Sequence, residues 1–147
     1  MKLYVDTSVL LKFYVVESDS TTWLDWLSRQ TGPLLCSELV KVELAFALAQ
    51  KERREEIFAG ASLEVFEDFL GDVRAGRFRI LQMDSPVLQK SFSLALGYSD
   101  LSLPLRTLDG IHLATALVHT LERIATADKR MAVAAQGFGL RCENPVS

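Results

Sequence analysis

Cysteine, histidine and proline are scarce in this 147-residue chain, at two, two and four residues, and each scarcity closes off a class of protein. Cys36 and Cys142 stand far apart with no neighbouring Cys or His ladder, which excludes a zinc finger or a dense disulfide framework and fits a reducing cytoplasm. Long apolar runs are missing as well. The opening Met1-Lys2-Leu3-Tyr4-Val5-Asp6 meets an acid after a very short apolar stretch, so neither a secretory leader nor a membrane partner is expected. There is no block of like charge, no internal repeat and no low-complexity segment. The formal net charge of -3 argues against a broad basic surface for nucleic acid. If a polyanion is the substrate, something else must meet its phosphates, and a divalent cation held by clustered carboxylates would reverse the local sign.

What is present is ample apolar material. A hydrophobic fraction of 49% in 147 residues can fill one core, and a single domain over residues 1–147 is the expectation. Leu3 to Val5 reads as a strand, followed by helices over about Ser8 to Val15 and Ser18 to Leu27. Leu34-Leu35-Cys36 is a second strand, ending at Ser37, which caps a long helix to about Arg53. Further helices are expected over Ala61 to Arg74, Ser85 to Leu96, Thr107 to Leu121 and Lys129 to Gln136. Strands are expected at Phe78 to Gln82, Arg123 to Thr126 and Leu140 to Cys142, with a loop from Gly97 to Pro104. Strands alternating with helices from end to end predict an α/β fold, a mostly parallel central sheet with helices on both faces.

In such a sheet, ligands collect at the carboxyl ends of the strands. Asp6 and Asp128 each follow a predicted strand there, Asp109 falls in the first turn of the helix begun by Thr107, and Glu43 lies a turn or more into the helix after the second strand. Each of the three aspartates has a plainer reading, Asp6 and Asp128 as helix N-caps and Asp109 as an acid at the positive end of a helix dipole. Glu43 is different. Its helical neighbours three and four positions away are Leu39, Val40, Phe46 and Ala47, and an ionised acid among them needs a cation. Lys41 points elsewhere by the helical period, so a metal ion is the economical partner. Oxygen ligands without His or Cys suit Mg²⁺ or Mn²⁺, and phosphodiester hydrolysis is the reaction that suits those ions. Asp6 and Asp109 are expected as direct ligands, Glu43 and Asp128 as ligands through water or as groups that position the nucleophile. Ser8 and Thr126 are candidates to hydrogen-bond these carboxylates, or else plain capping and strand residues.

Four segments, Asp6-Thr7-Ser8-Val9-Leu10, Ser37 to Glu43, Leu108-Asp109-Gly110-Ile111-His112-Leu113-Ala114-Thr115-Ala116 and Thr126-Ala127-Asp128, together resemble the ordered motifs of PIN-domain VapC toxins. The resemblance spans nearly the whole chain. It implies a PIN-like α/β/α sandwich, a ribonuclease dependent on Mg²⁺ or Mn²⁺ that acts as the toxin of a toxin–antitoxin pair, a homodimer, and a cognate antitoxin inserted near the active site. The family's acids carry over onto Asp6, Glu43, Asp109 and Asp128, and its hydroxyl before the last acid onto Thr126. Between Lys51 and Asp100 no diagnostic motif matches, and Gly110 replaces the more usual alanine.

Arg106, Lys129 and Arg130 flank these acids and either contact phosphate or pair with nearby carboxylates. His112 is expected as a packed residue bonded to backbone rather than a general base, and His119 has no expected role. Trp23, Trp26, Phe46, Phe66 and Phe69 sit at helical spacings and read as core or dimer contacts. Rival functions are another PIN-type nuclease of RNA processing, another phosphoryl-transfer enzyme such as a phosphatase, and a non-catalytic module that binds RNA or protein. A phosphatase with an aspartyl nucleophile usually carries a second acid two positions later, where this chain has Ser8.

Overall fold

The computed structural model describes residues 2–97 and 105–146. Beyond Gly97, which closes a helix, the expected loop falls outside the described residues. In chain order the strands are β1 (Leu3–Val5), β2 (Leu34–Ser37), β3 (Phe78–Leu81), β4 (Arg123–Ala125) and β5 (Arg141–Glu143). The helices are α1 (Thr7–Leu10), α2 (Ser20–Ser28), α3 (Leu39–Arg53), α4 (Ala61–Arg74), α5 (Ser85–Gly97), α6 (Thr107–Val118) and α7 (Lys129–Gly137). The strands form one sheet in the order β3-β2-β1-β4-β5, and every pairing is parallel.

The two faces of the sheet bury different residues because side chains alternate along a strand. Leu3 and Val5 of β1 join Leu34, Cys36 and Phe78 beneath α1 to α4, where Trp23, Leu27, Val40, Leu44, Leu48 and Phe69 complete the core. Tyr4 points to the other face, with Leu35 and Ile124, beneath α5, α6 and α7. Helix α3 shows how its sequence specifies this packing: Val40, Leu44 and Leu48 recur every four residues and all three are buried. Trp23 and Phe69 are wholly buried and Trp26 and Phe66 pack against that core, but Phe46 is 70% exposed, which excludes a core role for it. Both cysteines are free, and burial pushes the Cys36 thiol up to about 12. Among the described residues no helix is long and apolar enough to cross a membrane.

Three differences from the sequence expectation have local causes. The first helix covers only Thr7–Leu10 and then tightens into a 3₁₀ turn over Leu11–Phe13. The expected helix over Thr107 to Leu121 stops at Val118, because Thr120 takes a left-handed conformation (φ 54°). Its N–H bonds the Leu117 carbonyl while that of Leu121 reaches Ala116, a Schellman closure. Gly76 (φ 84°) and Gly139 (φ 86°) close α4 and α7 in the same way at the entries to β3 and β5, with no steric cost. The last strand lies one residue later than expected, at Arg141–Glu143.

Chain direction reverses at the middle of the sheet. From β1 the chain moves outward through β2 to β3, then crosses back through α5 and α6 to place β4 on the other side of β1. Loops leaving neighbouring strands in opposite directions open a crevice at their carboxyl ends, and that is where Asp6 and Asp128 emerge.

Candidate active site

Asp6 directly follows β1 and is only 4% exposed. Its Oδ1 accepts hydrogen bonds from the Ser8 hydroxyl (2.6 Å) and the Val9 N–H (3.2 Å), and its Oδ2 accepts from Thr126 Oγ1 (2.5 Å). The two hydroxyls also stitch the loops after β1 and β4 together, since Ser8 Oγ accepts from the Ala127 N–H (3.1 Å) and Thr126 Oγ1 from the Asp128 N–H (3.0 Å). Burial raises the Asp6 carboxyl above its ordinary value, and the hydrogen bonds from Ser8, Thr126 and Val9 only partly oppose this. Asp6 enters none of the ion pairs formed among the described residues.

Asp128 caps α7, accepting from the N–H groups of Arg130 (2.8 Å) and Met131 (3.4 Å). The plain capping reading therefore holds for Asp6 and Asp128 alike, and it leaves each with an oxygen engaged elsewhere in the site. Asp109 is buried in the first turn of α6, one turn after Arg106. The Arg106 guanidinium joins the two acids: Nε donates to Asp109 Oδ2 (2.9 Å) and Nη2 to Asp128 Oδ2 (2.9 Å). Of the two readings of Arg106, pairing with acids is the one the structure displays. Its side chain remains 53% exposed at the rim of the cleft. Lys129 and Arg130 are exposed at the start of α7.

Glu43 departs from expectation in an instructive way. It is half-buried on α3, with an exposed Phe46 one turn on, and the groups that meet it belong to the protein. His112 Nε2 lies 2.5 Å from Glu43 Oε1, and the Thr7 hydroxyl donates to the same oxygen at 2.6 Å. Burial pushes the Glu43 carboxyl up, but the hydrogen bonds from His112 and Thr7 oppose it, and the net effect is a lowered pKa. A metal is the economical partner expected for Glu43, and the structure adds a protein partner, a side chain from α6 distant in sequence. His112 is corrected: it is packed, at 2% exposure, yet bonded to Glu43 and to the Tyr4 hydroxyl (2.5 Å from Nδ1), not to backbone.

Three of the acids are linked through shared partners, Asp6 to Asp128 by Thr126 and Asp128 to Asp109 by Arg106, while Glu43 is bonded to Thr7 and His112 instead. Glu43 and Asp109 line one cleft of about 320 Å³ with Arg106, Thr107 and Leu108. They do not form a finished cage, since among the described residues no three Asp, Glu, His or Cys side chains are close enough to hold a metal ion. The donors nevertheless fit a hard divalent cation by their chemistry. All four are carboxylates, and Asp6 is a buried one met only by neutral donors, which a cation would stabilise. Sequence reasoning missed Tyr4 and Thr7 and misassigned His112. The signals were spacings: Tyr4 stands two residues before Asp6, on the same side of a strand, and His112 three residues after Asp109, on the same side of a helix.

Comparison with known proteins shows the family and the fold. The family model described as "PIN domain" matches residues 3–137. Ribonuclease VapC46 of Mycobacterium tuberculosis is 34% identical over 140 residues, covering 94% of this chain and 93% of that protein. Among solved structures, FitAcB from Neisseria gonorrhoeae superposes with a TM-score of 0.75 at 22% identity, covering 98% of both chains. A chain from a toxin–antitoxin complex of Klebsiella pneumoniae superposes with a TM-score of 0.63 at 16% identity, covering 99% of this chain and 98% of that one. At those identities the structural matches speak for the fold.

Proposed function

Because this chain belongs to the PIN domain family, we propose that it is an endoribonuclease dependent on Mg²⁺ or Mn²⁺, with Asp6, Glu43, Asp109 and Asp128 as its catalytic and metal-holding carboxylates. The observation that carries the reading is Asp6: a buried acid at the carboxyl end of the central strand, surrounded by hydroxyls and a backbone N–H and short of positive charge. A divalent cation bound among these acids would supply charge to meet a phosphate and would acidify a water for in-line attack. Ser8 and Thr126 hold Asp6 in one orientation by bonding both of its oxygens. Arg106 stands at the cleft rim with a planar donor fork suited to phosphate oxygens, and Lys129 and Arg130 offer further positive charge beside Asp128.

The relative named a ribonuclease supports RNA as the substrate, and the match to a chain of a toxin–antitoxin complex supports a role as the toxin partner of an antitoxin. A homodimer in the cytoplasm completes the proposal, and exposed apolar side chains such as Phe46, Phe92 and Leu96 offer surface to such partners. The single-domain organisation over 1–147 belongs to the same reading, since the family match spans most of the chain. The test is RNA cleavage by purified protein with added Mg²⁺ or Mn²⁺ and with chelator, compared with Asp6→Asn. Loss of cleavage by more than about a hundredfold in the variant, and loss on chelation, are expected, because removing a direct ligand should cost more than disturbing its supports. Equal cleavage by parent and variant would overturn the proposal.

A further inference from the structure

The side chains beneath the carboxylates form a second, inner layer. Strand alternation puts Tyr4 and Asp6 on the same side of β1, and the three-residue spacing in α6 puts Asp109 and His112 on one side of that helix. The outer members of these pairs are Asp6 and Asp109, of which Asp109 lines the cleft, and the inner members, Tyr4 and His112, touch each other in the core. Their rings meet edge to face, with centroids 5.8 Å apart and planes at 70°. From there His112 reaches across to Glu43 on α3, an acid that belongs to neither pair.

Hydrogen-bond accounting sets the direction of this chain. Tyr4 is wholly buried, and its hydroxyl lies 2.5 Å from His112 Nδ1. A buried O–H needs an acceptor, and His112 Nδ1 is the one at hand. With Nδ1 accepting, the ring proton sits on Nε2, where it donates to Glu43 Oε1. The Thr7 hydroxyl donates to that same oxygen. Both donors converge on Oε1, which leaves Oε2 as the oxygen for the cleft that Glu43 lines.

We propose that Tyr4 and His112 are positioning residues: Tyr4 orients the His112 ring, and His112 with Thr7 clamps one oxygen of Glu43 from inside the protein so that the other is presented to a ligand in the cleft. The inference rests on the reading of Glu43 as part of the metal site. It differs from a core role, because a core histidine could be exchanged for an apolar residue of similar size without consequence at the cleft.

The test compares the parent with His112→Leu, His112→Gln, Tyr4→Phe and Glu43→Gln. Three properties are read for each: Mn²⁺ affinity by titration with manganese chloride, kcat and KM on a fluorogenic RNA, and thermal unfolding. In His112→Leu, which keeps apolar bulk and loses the donor, Mn²⁺ affinity and kcat should each fall about 10- to 100-fold, with KM within about twofold of the parent. His112→Gln, whose amide can donate towards Glu43, should recover most of the loss, and Tyr4→Phe should show a smaller loss of the same kind. Nitrogen NMR should show His112 protonated on Nε2. Should His112→Leu fold poorly, Gln and Phe variants carry the same comparison.

Parent-like Mn²⁺ affinity and kcat in His112→Leu or, if that variant does not fold, in Tyr4→Phe would overturn the relay, as would a His112 ring protonated on Nδ1 alone. If those variants match the parent while Glu43→Gln loses Mn²⁺ binding, the relay fails and the site reading survives. If the parent itself neither binds Mn²⁺ nor cleaves RNA, both fail together.

Discussion

Asp6 and Glu43 are two of the candidate acids, one buried and one half-buried and both bonded to side-chain hydroxyls, yet their carboxyl groups shift in opposite directions. Asp6 is the more deeply buried, and two hydroxyls with one N–H do not repay its lost hydration. Glu43 keeps 21% of its side chain exposed and has His112 at 2.5 Å, so favourable contacts win. The difference teaches that deep burial can outweigh the donors that orient a carboxylate, whereas in a half-buried one two side-chain donors on a single oxygen outweigh burial.

The largest expected effect breaks the pair apart. Asp6→Asn should lose more than about a hundredfold in cleavage yet unfold at the same temperature as the parent or higher, because a neutral amide relieves the burial penalty while the hydroxyls can turn to accept from it. A folded Asp6 carboxyl above its ordinary 3.8 contributes stability fully present below the unfolded value and lost as pH rises through the folded one. The advantage of the Asn variant over the parent should therefore grow as pH rises above 3.8 through that folded value, and thermal melts at a series of pH values read it directly.

Glu43→Gln sharpens the contrast with the opposite sign. A carboxyl held below its ordinary 4.5 contributes stability present above that value and lost as pH falls through the folded one. The parent should exceed this variant by about 1–3 kcal/mol at neutral pH, the scale for a charged acceptor lost from its donors, and the gap should close on acidification. Melting curves for the two variants that shift in the same direction with pH would contradict the comparison.

Thr126→Val is expected to cost about 1–2 kcal/mol in denaturant unfolding, because it strips a donor from buried Asp6 and leaves the Asp128 N–H without its acceptor. Arg106→Gln should be the mildest for the fold, under about 1 kcal/mol, since a half-exposed guanidinium is well screened. Its effect should appear in KM for RNA, rising several-fold if the guanidinium exchanges its carboxylates for phosphate.

Much of this architecture was legible in the chain. The period-four spacing of Val40, Leu44 and Leu48 marks α3, and the β-strand candidates at Leu3, Leu34, Phe78 and Arg123 each appear, because short apolar runs bounded by turn residues have little freedom to become anything else. Asp6, Asp109 and Asp128 could be found by their places at strand and helix ends. What misled was Glu43: helical neighbours predicted its burial, but its partner comes from α6, and no local pattern reports a contact across 69 positions. Thr120 misled on a smaller scale, since a β-branched residue at a left-handed position gives no composition signal of the kind glycine gives.

The sequence by itself determined which residues alternate into strands, which stripe each helix buries, and where the acids emerge along the chain, since those depend on periods of two and 3.6 residues and on local caps. Only the tertiary structure decided which acid meets which partner. Sheet order sets Asp6 beside Thr126 and Asp128, Arg106 between Asp109 and Asp128, and His112 between Tyr4 and Glu43. These pairings carry the charge balance of the cleft, and they arise from three-dimensional proximity, which local periodicity does not encode.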